Sequence, residues 1–490
     1  MCAKRKTNQP AMTLDFVTSV LGVPVISANT TKKRDHIFSS VITDSREVSK
    51  HKGCLFLALK GEKFDGHDFI EAAIKSGATG IIYSSEKLLP EKLSKLSSVF
   101  FFTVRDTLEA YRSLAMAWRR QFKIPIVAIA GSVGKTTTKE ILAAVLSSKW
   151  TRILKTKGSR NGFVGIPMTL LELSADHEAA VIEIGIDEPG AMEKHLELVA
   201  PTMSLVTTVA PEHLEKLGSI ENVAKEEALA LSYTANSNGV AVINLNDEWL
   251  SPYFSSIDVD RIGFSLADVT SAVHSSDDIL VGTLQKSRKP ELRCQGLGLT
   301  DFTVPLPMSG AHNASNLLGA LAAALKLSLT PKEIIRGLSS FVPPEGRSEI
   351  MHLPTGVTVI CDYYNANPAS VAAGLKLLDE LAANNGDVLR WACLGDMLEL
   401  GSDEEYFHRA IAKNINKSNI QNILLLGKRM RWLFDELSAT PAGRQVFHFN
   451  SHADLSTYLL KYLKSNDCVL IKGSRGMKME EVWKAVNTPT

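Results

Sequence analysis

The sequence predicts an α/β protein of three domains, and three observations carry that prediction. An apolar strand, a glycine loop and a helix follow one another over residues 124–148. Short apolar runs alternate with helical periodicity on either side of that unit. Two breaks punctuate the alternation, Lys123-Ile124-Pro125 and Pro343-Pro344-Glu345-Gly346. A chain of 490 residues, 45% of them apolar, has the length for two to four domains and ample material for their cores.

In the first segment, residues 12 to about 122, Leu55–Leu59 and Gly80–Tyr83 read as buried strands. Phe69–Ser76 and Thr107–Phe122 read as helices. The second segment opens on the strand Ile124–Ile129. It continues through Ala130-Gly131-Ser132-Val133-Gly134-Lys135-Thr136-Thr137-Thr138 into a helix predicted over Lys139–Ser148, with Ile141, Leu142, Val145 and Leu146 on one face. Strand, glycine loop and helix N-terminus form a phosphate cradle. Glycines let backbone N–H groups close on phosphate oxygens, Lys135 neutralises charge, and the Thr136 hydroxyl can ligate Mg²⁺. The usual G-x-x-x-x-G-K-[ST] pattern asks for glycine at 129, where the chain has Ile129. The shortened loop therefore points to a particular branch of nucleotide-binding proteins.

Further strands are predicted over Ala179–Ile184, Met203–Thr208 and Val240–Asn244, with acidic or polar groups at their carboxyl ends. In an open α/β sheet, ligands bind at those ends. Glu183 ends one strand, and His213 follows another within Pro211-Glu212-His213-Leu214-Glu215. Alone, each is an ordinary structural residue. Following a phosphate loop within one unit, they join Thr136 as an oxygen-rich set with one imidazole, suited to Mg²⁺. Residues 260–306 are irregular and strand-like, and a helix is predicted over 312–327. The third segment alternates again, with strands predicted at 356–361, 389–394, 422–426 and 467–471. It reads as a second doubly wound sheet of dinucleotide-fold type without G-x-G-x-x-G.

Composition excludes several classes. Fifty-four Lys and Arg balance 53 Asp and Glu, a net charge of +1, so nothing favours nucleic acid or a membrane surface. No apolar run reaches membrane-spanning length, and the basic run Met1–Lys6 is not followed by an apolar signal core. The six cysteines (2, 54, 294, 361, 393 and 468) lack metal-ligand spacing and are expected to be reduced, as in a cytoplasmic protein. There are no repeats.

Over residues 40–485, the chain resembles the Mur ligase family of ATP-dependent amide-forming ligases, and within it the branch that adds D-Ala-D-Ala. Thr43-Asp44-Ser45-Arg46-Glu47-Val48 and Gly61-Glu62-Lys63-Phe64-Asp65-Gly66-His67-Asp68-Phe69 resemble its UDP-sugar-binding stretches. Gly134-Lys135-Thr136 matches its phosphate loop, Glu183 its metal carboxylate and His213 its metal histidine. Gly310-Ala311-His312-Asn313-Ala314-Ser315-Asn316 matches its adenine-side segment, and Arg347 sits where the family has an arginine facing the nucleotide. Asp362-Tyr363-Tyr364-Asn365-Ala366-Asn367-Pro368, Gly395-Asp396-Met397-Leu398-Glu399-Leu400-Gly401 and Lys472-Gly473-Ser474-Arg475-Gly476-Met477-Lys478-Met479-Glu480 match three further stretches in order.

The resemblance implies a small α/β UDP-binding domain (1–122), a central P-loop ATPase-type parallel-sheet domain (123–342) and a C-terminal Rossmann-like domain binding the amino substrate (343–490). It implies ATP and Mg²⁺ as cofactors, and UDP-N-acetylmuramoyl-tripeptide and D-Ala-D-Ala as substrates of a cytoplasmic monomer. The expected catalytic set is Lys135, Glu183, His213 and Glu227; the metal set is Thr136, Glu183, His213 and Glu227. Gly131, Ser132, Gly134, Lys135, Thr136, Thr137, His312, Asn313, Asn316, Arg347, Asp362, Tyr364 and Asn365 are expected to bind the nucleotide. Ser45, Arg46, Gly61, Asp65, Gly66, His67, Asn161, Asp187 and Asn367 are expected to bind the UDP-peptide.

The chain departs from the family pattern at three places. Ser159-Arg160-Asn161-Gly162 keeps Asn161 of an Asn-Asn pair and puts Gly162 in place of the second. Asp187 stands where the family favours Asn. Glu227 stands where the family has a lysine that becomes carbamylated and helps hold a second Mg²⁺. Glu227 is therefore expected to supply a carboxylate directly. The other reading is a one-turn slip in the alignment, leaving a solvated acidic helix. Two alternatives to the leading function stay open on the sequence: a Mur-like ligase with another acyl or amino substrate, and a nucleotide-binding pseudo-ligase with a regulatory role.

Overall fold

A computed structural model describes residues 10–26, 36–61, 64–257, 260–267, 278–285, 290–382, 388–439 and 443–488. The Met1–Lys6 run, Cys2, Glu62 and Lys63 lie outside the described residues. By compactness the chain forms two units. The first comprises Met1–Ile126, Arg152–Ile182 and Lys194–Pro201; the second comprises Val127–Thr151, Glu183–Glu193 and Thr202–Thr490.

The first unit holds a five-stranded sheet of β1 (Val25–Ile26), β2 (Val41–Ile42), β3 (Leu55–Leu57), β4 (Gly80–Ser84) and β5 (Phe100–Val104), in the order β1-β5-β4-β3-β2. β1 runs antiparallel to β5, and the other pairs are parallel. Phe56, Ile81 and Phe101 stand on neighbouring strands and pack with Ile70 and Ala73 of the helix Ile70–Ser76. The helix Thr107–Arg119 ends the unit's first stretch, three residues before the predicted end. Asp106 caps its start by accepting hydrogen bonds from the N–H groups of Leu108 and Glu109.

The next strands in chain order are β6 (Ile126–Ala130), β7 (Ile153–Lys155), β8 (Ala179–Glu183), β9 (Met203–Val206), β10 (Val240–Asn244), β11 (Arg261–Ala267), β12 (Ile279–Gln285), β13 (Glu291–Gly296) and β14 (Leu299–Pro305). β7 and β8 pair in parallel within the first unit. In the second unit the order is β14-β13-β12-β11-β10-β9-β6. β6 through β12 run parallel, and β13 and β14 add an antiparallel ladder over the segment that reads as irregular in sequence.

The helix after the phosphate loop spans Lys135–Leu146 and so begins four residues before its predicted start. Three consecutive threonines disfavour helix by propensity. Here all three are buried, and packing overrides the local preference.

The third sheet is β15 (Glu349–His352), β16 (Thr358–Asp362), β17 (Arg390–Gly395), β18 (Asn422–Leu426), β19 (Gln445–Phe449) and β20 (Cys468–Lys472), in the order β15-β16-β20-β17-β18-β19. All neighbours are parallel except β15 with β16. Alternation is strict. Ile360, Ala392, Leu394, Ile423, Leu425 and Leu470 pack against the helices Pro368–Ala382, Glu404–Asn416 and Met430–Ala439. Val359, Cys361, Trp391, Cys393, Leu424, Val469 and Ile471 pack against His452–Tyr462 and Glu480–Asn487. Helices on both faces make this the doubly wound sheet that the alternation predicts. β15 and β19 escape the sequence reading because each is short and only partly buried. Five cysteines are buried and unbridged.

Candidate active site

The phosphate loop leaves β6 through two glycines with left-handed backbones, Gly131 at φ +113° and Gly134 at φ +95°. Its outer side is pinned by Thr207, just past β9. The Thr207 hydroxyl donates to the Val133 carbonyl at 2.6 Å, and the Thr208 carbonyl accepts from the Ser132 N–H at 2.6 Å. Asn316, on the helix Ala311–Lys326, closes against Gly134, so a Cβ there would overlap the Asn316 Oδ1. Gly134→Ala combines that overlap with a strained φ. It is expected to cost about 1–3 kcal/mol in urea unfolding and to weaken binding of a fluorescent ATP analogue about tenfold. Wild-type affinity in the variant would refute the close-approach argument.

Lys135 opens the helix and is largely buried. Its Nζ donates to the Gly131 carbonyl and lies 3.6 Å from Glu212 Oε1. Burial opposes its charge, but Glu212, Glu227 and Glu183 outweigh burial and raise its pKa. Thr136 donates to Glu183 Oε2 at 2.9 Å, and the fully buried Lys139 ammonium lies 3.3 Å from the same oxygen. Thr137 is buried one residue further along the helix.

Glu227 lies on the helix Ile220–Asn236 and is fully buried, so its face of that helix is not solvated. Its Oε2 accepts the Gly131 N–H at 2.6 Å, while its Oε1 is buried without a hydrogen-bond partner among the described residues. Burial, aided by Glu212 and opposed by Lys135, pushes its pKa up to about 7. Glu212 is raised by burial too, against the pull of Lys135.

His213 has a left-handed backbone (φ +50°), and its Nδ1 lies 2.6 Å from Glu399 Oε2. Burial lowers its pKa, but the bond to Glu399, with help from Glu212, raises it overall. The four residues expected to hold metal are thus each engaged by protein groups. Among the described residues, no three His, Cys, Asp or Glu side chains stand close enough to hold a metal by themselves. Asp187 is exposed and lies 3.4 Å from Lys216.

On the adenine-side segment, His312 Nε2 lies 3.3 Å from the Ser348 hydroxyl, and burial lowers its pKa. Asn313 is buried and donates to the Ser309 carbonyl at 2.8 Å, so its amide holds local backbone. Arg347 stacks on Tyr364 at 4.1 Å from the ring centroid. Asp362 Oδ1 accepts from the Ser348 N–H at 2.9 Å, and its Oδ2 accepts from buried Lys472 at 2.6 Å. The Asn365 carbonyl also accepts from Lys472. Asn367 caps the helix Pro368–Ala382, its Oδ1 accepting from the Ser370 N–H at 2.9 Å.

The remaining candidates belong to the first unit. Arg46 is exposed and already paired with Asp44 at 2.6 Å; Ser45 stands beside it in the same turn. Asp65 pairs with His67 at 2.5 Å and Lys87 at 2.7 Å, and those two partners outweigh its desolvation and lower its pKa. His67 Nε2 accepts the Ser84 N–H, so Nδ1 carries the proton toward Asp65. The Gly61 N–H donates to Phe64, and a Cβ on Gly66 would meet the Leu59 backbone. Asn161 is half-buried.

Sequence reasoning passed over Glu212, Lys139 and Thr207. Glu212 is legible only as the neighbour of His213. Lys139 lies one helical turn beyond Lys135, on the same face, and that i,i+4 spacing is the available signal.

Comparison with known proteins follows the same order along the chain. Residues 38–113 match the Mur ligase family catalytic domain, 129–324 the Mur ligase middle domain and 346–475 the Mur ligase glutamate ligase domain. UDP-N-acetylmuramoyl-tripeptide–D-alanyl-D-alanine ligase of Bacillus subtilis is 31% identical over 91% of this chain and 93% of its own. The enzyme of the same name from Escherichia coli is 32% identical over 97% and 98%. The crystal structure of MurF from Acinetobacter baumannii superposes with a TM-score of 0.82 at 24% identity, over 98% of this chain and 99% of the other. That of MurF from Thermotoga maritima in complex with ADP superposes at 0.76, over 91% and 97%, also at 24% identity.

Proposed function

This chain belongs to the Mur ligase family, and from that membership we propose that it joins D-Ala-D-Ala to UDP-N-acetylmuramoyl-tripeptide, with cleavage of ATP, in peptidoglycan synthesis. The observation that carries the reading is the full-length identity of 31–32% to ligases of that one specificity.

Amide formation in water needs an activated acid. The peptide carboxylate attacks the γ-phosphorus of ATP, an acyl phosphate forms and ADP leaves. The D-Ala-D-Ala amine then attacks the acyl carbon, the amide bond forms and inorganic phosphate leaves with the bonding electrons. Such chemistry is mostly positioning and charge neutralisation. Lys135 and the N–H groups of the first helical turn offset charge on the phosphates, and Gly131 and Gly134 let the backbone approach them. Arg347 and Tyr364 frame the nucleotide side, with His312, Asn313, Asn316, Asp362 and Asn365 shaping its adenine and ribose walls. In the first unit, Ser45, Arg46, Gly61, Asp65, Gly66 and His67 hold the UDP moiety and Asn161 serves the peptide, as Asp187 does in the second unit.

The donor set also fits Mg²⁺. The unpartnered Oε1 of Glu227 is a buried hard oxygen beside the loop. Mg²⁺ at nucleotide sites takes one or two carboxylates plus phosphate oxygens and water, not an all-protein cage. Thr136, Glu183 and His213 would hold one such ion together with phosphate oxygens and water, and Glu227 would hold a second in the same way; bound there they would neutralise phosphate charge. The domain assignment is 1–122 for UDP, 123–342 for ATP and 343–490 for the amine. No helix of the described residues is long and apolar enough to cross a membrane. The chain acts as a cytoplasmic monomer on these small molecules, without nucleic acid.

The test is phosphate release from ATP. Release is expected only when UDP-N-acetylmuramoyl-tripeptide and D-Ala-D-Ala are both present, and a panel varying the third peptide residue reads out diaminopimelate against lysine. No stimulation by either substrate would sink the proposal.

A further inference from the structure

The loop between β17 and the helix Glu404–Asn416 is anchored inward at almost every residue. Asp396 is buried; its Oδ1 accepts from the Met430 N–H at 2.8 Å and its carbonyl accepts from the Ser474 N–H at 3.1 Å. The Met397 N–H donates to His408 Nε2 at 3.1 Å, and the other ring nitrogen of His408 donates to the Glu404 carbonyl at 2.6 Å. The Leu398 N–H donates to the Ser474 hydroxyl at 2.9 Å. Met397 and Leu400 are buried in the core of the third sheet.

Glu399 breaks this pattern. It has a left-handed backbone (φ +66°), and its carboxylate leaves the loop and meets His213 Nδ1 at 2.6 Å. His213 stands at the carboxyl end of β9, in the other sheet of the same unit, and it too is left-handed. Its carbonyl is held by the N–H groups of Lys216 and Leu217. Around this contact the two backbones also meet. The Glu399 carbonyl accepts from the Glu215 N–H at 3.4 Å, and Gly401 (φ +65°) packs so closely that a Cβ would lie 3.2 Å from the same nitrogen. An ordinary surface ion pair forms between flexible side chains and contributes little. Here two non-glycine residues both adopt a rarely populated backbone to make the pair, on a loop fixed from behind.

We propose that Glu399 is a positioning residue for His213: by accepting the hydrogen bond that Nδ1–H donates, it fixes the tautomer and orientation in which Nε2 is the nitrogen free to bind a ligand, so the third sheet's loop completes the phosphate-loop site. Carboxylates that hold a ligating histidine by its other nitrogen set both ring orientation and ligand strength. The inference rests on the reading of His213 as part of the nucleotide site. It adds that the domain assigned to the amine controls that residue. A loop displaced from the Leu214–Leu217 turn would release the imidazole, which ties productive nucleotide binding to seating of the third sheet.

The test is long-range ¹H–¹⁵N NMR of the full chain, with the His213 resonances assigned through His213→Gln. Wild type is expected to show the Nδ1–H tautomer at His213. Glu399→Ala is expected to give a mixture of tautomers, and to raise the Mg²⁺ dissociation constant, measured with a non-hydrolysable ATP analogue bound, about tenfold. Glu399→Gln keeps an acceptor oxygen and is expected to stay near wild type in both readouts. An alanine variant with wild-type tautomer and Mg²⁺ affinity overturns the proposal, as does a glutamine variant that behaves like alanine. If alanine fails to fold, Glu399→Asp withdraws the carboxylate by one methylene and is read in the same way. The tautomer readout needs no turnover. Absence of D-Ala-D-Ala ligation in wild type would therefore overturn the proposed function and leave the Glu399 result to be judged separately.

Discussion

Replacing Lys135 by methionine is expected to lower turnover by about 100- to 1,000-fold and, separately, to destabilise the nucleotide-free protein at alkaline pH. The first effect follows from the proposed function: Lys135 opens the helix after the phosphate loop, where its ammonium would offset the charge of bound phosphates. The second follows from its neighbours. Glu212 Oε1 lies 3.6 Å away, and Glu212 and Glu227 are both buried carboxylates whose ionised forms Lys135 favours. Removing one member of a buried charged cluster leaves the others uncompensated, at a cost of about 3–5 kcal/mol.

The sign with pH is fixed by the same groups. Both carboxylates have raised pKa values in the folded chain, so the folded state holds protons that the unfolded chain has lost. Stability then falls as pH rises through that window. Without Lys135 the window widens upward. Urea unfolding at pH 8 should show the methionine variant well below wild type, with the gap narrowing toward pH 5. Lys135→Arg keeps the charge and should keep most of the stability while still losing activity, because a planar fork does not replace a point charge in this loop. A methionine variant as stable as wild type at pH 8 would refute the charge account.

Much of the fold is legible from local pattern. The third sheet reads correctly because its strands alternate between two buried faces, so four of its six strands show as apolar runs. The strand and glycine turn over residues 126–134 read correctly because glycine spacing and Lys-Thr are adjacent in sequence. The start of the following helix does not, since three threonines argue against helix and only burial against the surrounding elements decides the matter. At the site, residue types are visible and partners are not. Nothing near His213 in sequence announces Glu399, and nothing near Gly131 announces Glu227. The carboxamide of Asn367 is chemically fit for substrate, but the structure spends it on capping a helix. Burial of Lys139 against Glu183 is a property of two elements together, and sequence gives only the helical spacing from Lys135.

Glu227→Gln should separate what this carboxylate does for chemistry from what it does for stability, because the two effects carry opposite signs. Glutamine is nearly isosteric and still accepts the Gly131 N–H, so the loop geometry should survive. It brings no negative charge to the phosphate-loop cluster. If Glu227 is a metal ligand, the variant needs about 100-fold more Mg²⁺ for half-maximal turnover, and Glu227→Ala needs at least as much. Stability moves the other way. The Glu227 pKa is raised from 4.5 to about 7, so between those values the folded chain holds a proton that the unfolded chain has released. Ionised Glu227 therefore destabilises the nucleotide-free fold, and the penalty is complete above about pH 7. Glutamine cannot ionise. The variant is expected to be more stable than wild type at pH 8, with the difference closing toward pH 4.5. A group that lowers stability where it is ionised, and is kept buried beside an otherwise complete phosphate loop, has the character of a functional residue rather than a packing one. If the glutamine variant keeps wild-type Mg²⁺ dependence, Glu227 is no metal ligand. If it is also less stable at pH 8, the carboxylate belongs to the fold, and its place next to Gly131 serves only to hold the loop.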